Sequence, residues 1–352
     1  MNAPSRHPQR RCAGFSVLEV LVALSMTLIL LAAVYGVYLA ARQGYGLNRG
    51  SAQVQQSGRF ALALLDDSLR MAGYTGCGGR QVSINNVLTS PSAFNYDFGQ
   101  GIEGFDAVSG GWSPAEPATL SSLPEPPVAG SDIVTITTSE GNGQRITADM
   151  PNTAADLKVT PVSPPKVSDG EILMVSDCAS ASVFQVTNYT TSNGNIAHNT
   201  GSTYSPGNAT KDLGSAFHAG AEVQQIARVS YFVASRSGAA DCSAHDCGLY
   251  EYENGQEKEL VGGIDDLQIR YGVDSDGDKV PNQYFPASGV STWKNVVSVR
   301  VGLLAASRQR ALTNGKVGPR QMTILEQTES VPQDRYLRRV FTGFVALRNR
   351  ES

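Results

Sequence analysis

Basic charge is scarce in this chain. Its 352 residues hold 28 Lys and Arg against 32 Asp and Glu, a formal net charge of −4. Nucleic acid is therefore excluded as the main partner, because binding phosphate requires a basic surface. Charged residues of both signs make up only 17%, low for a soluble cytoplasmic enzyme. Catalytic arrangements are missing as well. His7, His198, His218 and His245 are scattered, and none sits in a Ser/His/Asp or metal-binding motif. Gly141-Asn142-Gly143 reads as a turn, since no Lys-Ser/Thr follows to make a phosphate loop. An enzyme is not expected. Cysteine is limited to Cys12, Cys77, Cys178, Cys242 and Cys247.

Apolar residues, at 41%, allow a sizeable core, and they concentrate first near the N-terminus. Residues 1–14 are polar, with Arg6, Arg10 and Arg11 and no acid. From Val20 to Ala41 there is no charge at all. As a helix, residues 15–41 reach about 40 Å, enough to cross a bilayer with tilt. The basic flank keeps the N-terminus cytoplasmic. Glu19 stands at the start of this run, and a charge at the centre of an inserted helix costs roughly 2.5–3.5 kcal/mol, so a partner is expected for it. A cleaved secretory signal has a shorter apolar core, of about 7–15 residues. Arg10-Arg11 is followed by Cys-Ala-Gly, a poor twin-arginine address. A plain signal anchor would leave Glu19 unexplained.

Gly14, Phe15 and Glu19, ahead of the uninterrupted apolar run, resemble the signal of a type IV prepilin. That family has a short basic leader ending in Gly, cleaved before Phe or Met, with Glu as the fifth mature residue. The resemblance implies cleavage between Gly14 and Phe15 by a prepilin peptidase and N-methylation of Phe15. It also implies a partner for Glu19, the α-amino group of a neighbouring subunit. Opposite charges in low dielectric attract strongly, whereas one alone is heavily penalised. A mature chain from Phe15 loses three Arg and no acid, giving 25 − 32 = −7.

Cys12 falls in the leader. The four remaining cysteines suit two disulfides and permit three pairings. Cys242 and Cys247 close a short loop and are paired here, leaving Cys77 with Cys178. Four free thiols are the alternative. His245 lies between Cys242 and Cys247, but no second cluster completes a zinc site.

Beyond the apolar run, Phe60, Ala61, Leu64, Leu65, Leu69 and Ala72 recur at helical spacing, with Arg59, Asp66, Asp67 and Arg70 opposite. Gly44, Gly46, Gly50 and Gly58 weaken the stretch between, which is expected to loop or bend; Gly73 and Gly76 end the helix. Residues 77–130, rich in Gly, Ser, Pro and Asn, read as an irregular insertion, and 190–220 as a surface loop. Strands are expected over 131–137, 171–176, 183–189 and 223–233. A hairpin is expected about Asn254-Gly255, and further strands about Leu267–Tyr271, Val297–Leu303 and Phe341–Leu347. These strands predict an antiparallel sheet with one buried face, covered by the helix. The expected class is α+β and pilin-like: a long N-terminal helix packed on an antiparallel sheet, with a loop-rich insertion. The divisions are a leader at 1–14, a transmembrane or filament-core helix at 15–41, its amphipathic continuation at 42–76 and a periplasmic β-rich domain at 77–352.

Asp274-Ser275-Asp276-Gly277-Asp278 alternates carboxylates around a glycine, so calcium is the candidate cofactor, with Asp274, Asp276 and Asp278 as ligands and Asn282 as a further oxygen. The EF-hand pattern fails at its twelfth position, Phe285, and a solvated turn is the competing reading. This segment, Arg70–Cys77 and the terminal Arg339-Val340-Phe341…Leu347-Arg348-Asn349 also resemble the PilW group of minor pilins. That resemblance implies an inner-membrane, single-pass subunit that moves into a type IV pilus near its tip. The implied partners are other minor pilins, the major pilin, the prepilin peptidase, the inner-membrane assembly platform and a tip adhesin, with roles in twitching and adhesion. A minor pseudopilin of type II secretion and a stand-alone, membrane-tethered periplasmic adhesin are the rival expectations.

Overall fold

A computed structural model describes residues 14–74, 76, 82–139, 143–201, 203–312 and 317–350. The arrangement is α+β. One helix, Val17–Arg70, runs unbroken for 54 residues, about 80 Å at 1.5 Å per residue. Its apolar N-terminal half is unburied among the described residues. From Phe15 to Leu47 the large apolar side chains are exposed. Its C-terminal half buries Gly50, Val54, Gly58, Ala61, Leu65 and Leu69, one stripe at three- and four-residue spacing. Phe60, assigned to this face by periodicity, instead stays 56% exposed.

The glycines expected to weaken the helix do not interrupt it, and two of them have a packing role. A Cβ on Gly50 would lie 2.5 Å from the Ala311 Cβ, and one on Gly58 would overlap the Phe341 ring. Their missing side chains let the helix lie directly on the sheet. Gly44 and Gly46 meet nothing within 4 Å. The helix ends at Arg70, and Gly73 at φ 71° turns the chain so that its N–H donates to the Thr137 carbonyl at 2.7 Å.

The stripe packs on a four-stranded antiparallel sheet ordered Gln283–Phe285, Ile264–Val273, Val296–Ala306 and Arg338–Ala346. The last two of these strands contact the helix most, as does the hairpin strand Gln256–Gly262. Val296–Ala306 is a run of β-branched and aliphatic residues buried on both faces, because the helix covers one side and the rest of the domain the other.

The expected single sheet is in fact accompanied by a ten-stranded one. Glu222–Ser235 runs through its middle, pairing with Ile172–Ser176 and Ile133–Ser139, and with Cys247–Glu253 at its far end. The Asn254-Gly255 turn, both residues at positive φ, joins Cys247–Glu253 to Gln256–Gly262 as anticipated. Part of the segment read as irregular also joins this sheet. Ile102–Val108 pairs with Ile133–Ser139, and Gly111–Ser113 pairs with Ile102–Val108. Polar composition hid these strands, whose pairing partners are distant in sequence.

A buried polar stitch joins the ten-stranded and four-stranded sheets, the largest of four among the described residues. Asp132 accepts from the N–H of Ala107 and of Ile269, each at 2.8 Å, and its own N–H donates to the Leu267 carbonyl. Ser131 Oγ accepts from the Leu267 N–H at 3.0 Å. Arg270 lies 3.4 Å from Asp106 and 3.7 Å from Asp132. The domain and the helix's C-terminal half thus share one core, in which Leu65, Tyr231, Leu267, Val299 and Val345 belong to the same cluster.

Candidate functional site: the exposed helix and its anchor

The N-terminus of the helix is set by Ser16 and Glu19. Ser16 Oγ accepts from the Glu19 N–H at 3.2 Å, and the Glu19 carboxylate accepts from the Ser16 N–H at 3.3 Å. This reciprocal capping box satisfies two of the orphan donors of the first turn. A carboxylate there also suits the positive end of the helix dipole. Gly14 and Phe15 precede the first helical residue, and Phe15 is 84% exposed. The Gly14–Phe15 bond therefore lies in accessible, non-helical chain, the form a peptidase can engage.

Beyond Glu19 the exposed helix is long and apolar enough to cross a membrane. Its serine and threonine within the run are satisfied internally. Ser25 Oγ donates to the Leu21 carbonyl at 2.8 Å, and Thr27 Oγ1 to that of Ala23 at 2.7 Å. Such bonds remove the cost of a bare hydroxyl in hydrocarbon. Glu19 is thus the sole side chain between Gly14 and Ala41 that carries a charge at neutral pH.

Cys242 and Cys247 form a disulfide that closes the turn before strand Cys247–Glu253. Within it His245 stacks on Tyr336 at 3.6 Å between ring centres, so the small loop rests on the segment entering the last strand. Cys178 is disulfide-bonded, whereas Cys77 lies outside the described residues.

The acidic turn brings Asp274, Asp276 and Asp278 together, with ligand oxygens within 4.8 Å of one another. Its shape is explained without an ion. Asp274 accepts from the N–H groups of Gly277 at 2.7 Å, Lys279 at 2.8 Å and Asp276 at 3.1 Å. Burial raises the Asp274 carboxyl, but these donors outweigh it and hold it below the usual range. Asn282 Oδ1 is taken by Ser275 N–H and Oγ, at 2.7 and 3.0 Å, and Asn282 Nδ2 donates to Asp276. The oxygen assigned to calcium is therefore engaged within the turn.

Sequence reasoning missed Asp132, Arg270 and the Asp265–Arg338 pair (3.1 Å), because each contact joins residues far apart in the chain. Burial comes first among the causes that raise Asp132, to about 7.

Comparison with known proteins adds two matches. Residues 9–35 match the prokaryotic N-terminal methylation motif, which spans Gly14, Phe15, Glu19 and most of the apolar run. Residues 230–349 match the family described as type IV pilus-assembly protein W, a span that takes in the 247–262 hairpin and the four-stranded sheet beneath the helix. Searches of curated proteins and of solved structures give no match. The chain is PilW-like, a prepilin-type N-terminal helix carrying a C-terminal region similar to type IV pilus-assembly protein W.

Proposed function

We propose that the chain is a minor pilin that helps to prime type IV pilus assembly. The observation that carries this reading is the division of one helix into two halves. The half nearer the N-terminus is exposed and apolar, with Glu19 its sole charge before Arg42; the other is fixed to a sheet by close contacts at Gly50 and Gly58. Among the described residues the apolar half is unburied, so its surface needs lipid or the helices of other subunits.

Cleavage after Gly14 gives a new ammonium group at Phe15, the site of N-methylation. The capping-box carboxylate of Glu19 is then available to the ammonium group of a neighbouring subunit, and the pair loses the penalty each ion bears alone. The peptidase, the assembly platform, the major pilin and other minor pilins are the partners in this scheme. The large β domain is the surface for partner subunits near the pilus tip, beneath an adhesin. The Cys242–Cys247 disulfide fits a periplasmic domain.

Mass spectrometry of the purified mature chain tests the first step. The expected N-terminus is N-methyl-phenylalanine 15, and a chain retaining Met1–Gly14 would overturn the scheme. Glu19→Ala is expected to abolish incorporation into pili while leaving the β domain folded. A deletion strain is expected to lose surface pili and twitching. Intact piliation with loss of protein secretion would instead identify a minor pseudopilin.

A further inference from the structure

The cavities at the foot of the globular domain are opposite in charge to the molecule as a whole. Two of them flank the helix just beyond the apolar run, with volumes of about 730 and 610 Å³. Arg42, Arg49, Arg310 and Arg335 line the first, and Arg49 and Arg308 the second. Among the described residues neither wall contains a carboxylate. This concentration of cations occurs in a chain of net charge −4. Arg42, Arg49, Arg308 and Arg310 are exposed.

The cleft has a rigid backbone. The N–H groups of Ala311 and Leu312 donate to the Arg335 carbonyl at 3.0 and 2.9 Å, and that of Ser307 donates to the Leu337 carbonyl at 2.8 Å. The helix closes the other side through the contact of Gly50 with Ala311. Arg42 is the first charged residue after Glu19. At 1.5 Å per residue, Arg49 lies about 10 Å further along the axis. The headgroup layer of a bilayer leaflet is about 5–8 Å deep, so a helix whose apolar run fills the hydrocarbon carries these arginines through that layer.

We propose that this arginine cleft binds the phosphates of anionic phospholipid headgroups, docking the globular domain on the membrane until the subunit is drawn into a filament. The proposal rests on the reading of residues 15–41 as membrane-spanning. Guanidinium groups suit the chemistry, since their planar forks grip phosphate oxygens in pairs. An acidic face on a partner protein would be attracted to the same arginines. Lipid is favoured because the helix lining the cleft runs directly into the apolar segment, which brings a bilayer surface to the cleft.

The test uses the full chain in nanodiscs of phosphatidylcholine alone or with phosphatidylglycerol, followed by hydrogen exchange over 42–53 and 306–312. Phosphatidylglycerol is expected to slow exchange about fivefold or more, roughly the gain from one arginine near an anionic surface. The triple variant R42Q/R49Q/R310Q, which removes only exposed side chains, is expected to lose that slowing. Equal exchange in the two lipids, or slowing that survives in the variant, would overturn the proposal. The same slowing from millimolar inorganic phosphate on phosphatidylcholine discs would assign the cleft to a free anion, and slowing only on addition of an acidic pilin subunit would assign it to a protein; either overturns lipid docking. A chain that enters neither disc overturns the membrane-spanning reading and the proposal together. Entry into both with equal exchange overturns the cleft alone.

Discussion

Asp266 shows how a single side chain can set the pH response of this domain. It is buried, accepts from Gln268 Nε2 at 3.0 Å and has no cation against it in the ion pairs of the described residues. Burial pushes its carboxyl up to about 8, with the Glu329 and Asp132 charges adding to the rise. A folded-state value above the unfolded one means that the folded chain holds the proton more tightly. The associated stability is complete below about pH 4 and is lost as pH climbs towards 8, at no more than about 1.4 kcal/mol per pH unit. Asp132, raised to about 7, acts in the same direction. Asp266→Asn is expected to flatten the pH dependence between 5 and 8 and to raise stability at pH 8, as measured by urea unfolding of the full chain in detergent. An unchanged slope would show that Asp266 is ionised throughout. In the sequence, Asp266 stands just before the expected strand Leu267–Tyr271, and nothing local marks it. Its isolation from cations depends on Arg338, 72 positions away, being committed to Asp265 and Asp334.

At the scale of elements, the helix was legible in type but not in detail. Ala61, Leu65, Leu69 and Ala72 gave its buried face correctly, while Phe60, on the edge of the stripe, was misplaced. The glycines were misread because propensity reports only the cost of glycine in an isolated helix. It cannot report that Phe341 and Ala311 occupy the space where side chains would stand. Gly58→Val is therefore expected to cost about 1–3 kcal/mol through overpacking against Phe341. Gly44→Ala, which meets nothing within 4 Å, is expected to gain about 0.5–1 kcal/mol of helix stability. Thermal unfolding of the two variants side by side distinguishes them, and equal effects would refute the packing role. The short disulfide is a similar case. Its spacing in the sequence predicted the bond, but only the fold shows the loop stacked through His245 on Tyr336. The double variant C242S/C247S is expected to lose about 2 kcal/mol in denaturant titration.

At the scale of the whole molecule, an exposed apolar rod and a folded domain are joined by one continuous helix. Truncation before Gly50 should leave the core intact, because the residues of the helix that enter the core cluster begin at Val54. Expression of residues 50–352 as a soluble, cooperatively unfolding domain would bear this out; aggregation would show that the exposed half supports the fold.

The sequence by itself determined the N-terminal signal, the membrane-length run and the antiparallel strands of the last third. Each of these depends on neighbours in the chain: Gly14, Phe15 and Glu19 within a few residues, a run of uncharged positions, or alternation along one strand. Only the tertiary structure decided that the described strands form four sheets rather than one, that Asp132 and Ser131 join the two largest, that Gly50 and Gly58 are contact points, and that Arg42, Arg49, Arg308, Arg310 and Arg335 cluster about one part of the helix. Those facts depend on residues brought together across long chain separations, where burial and close approach rather than local propensity set the energy.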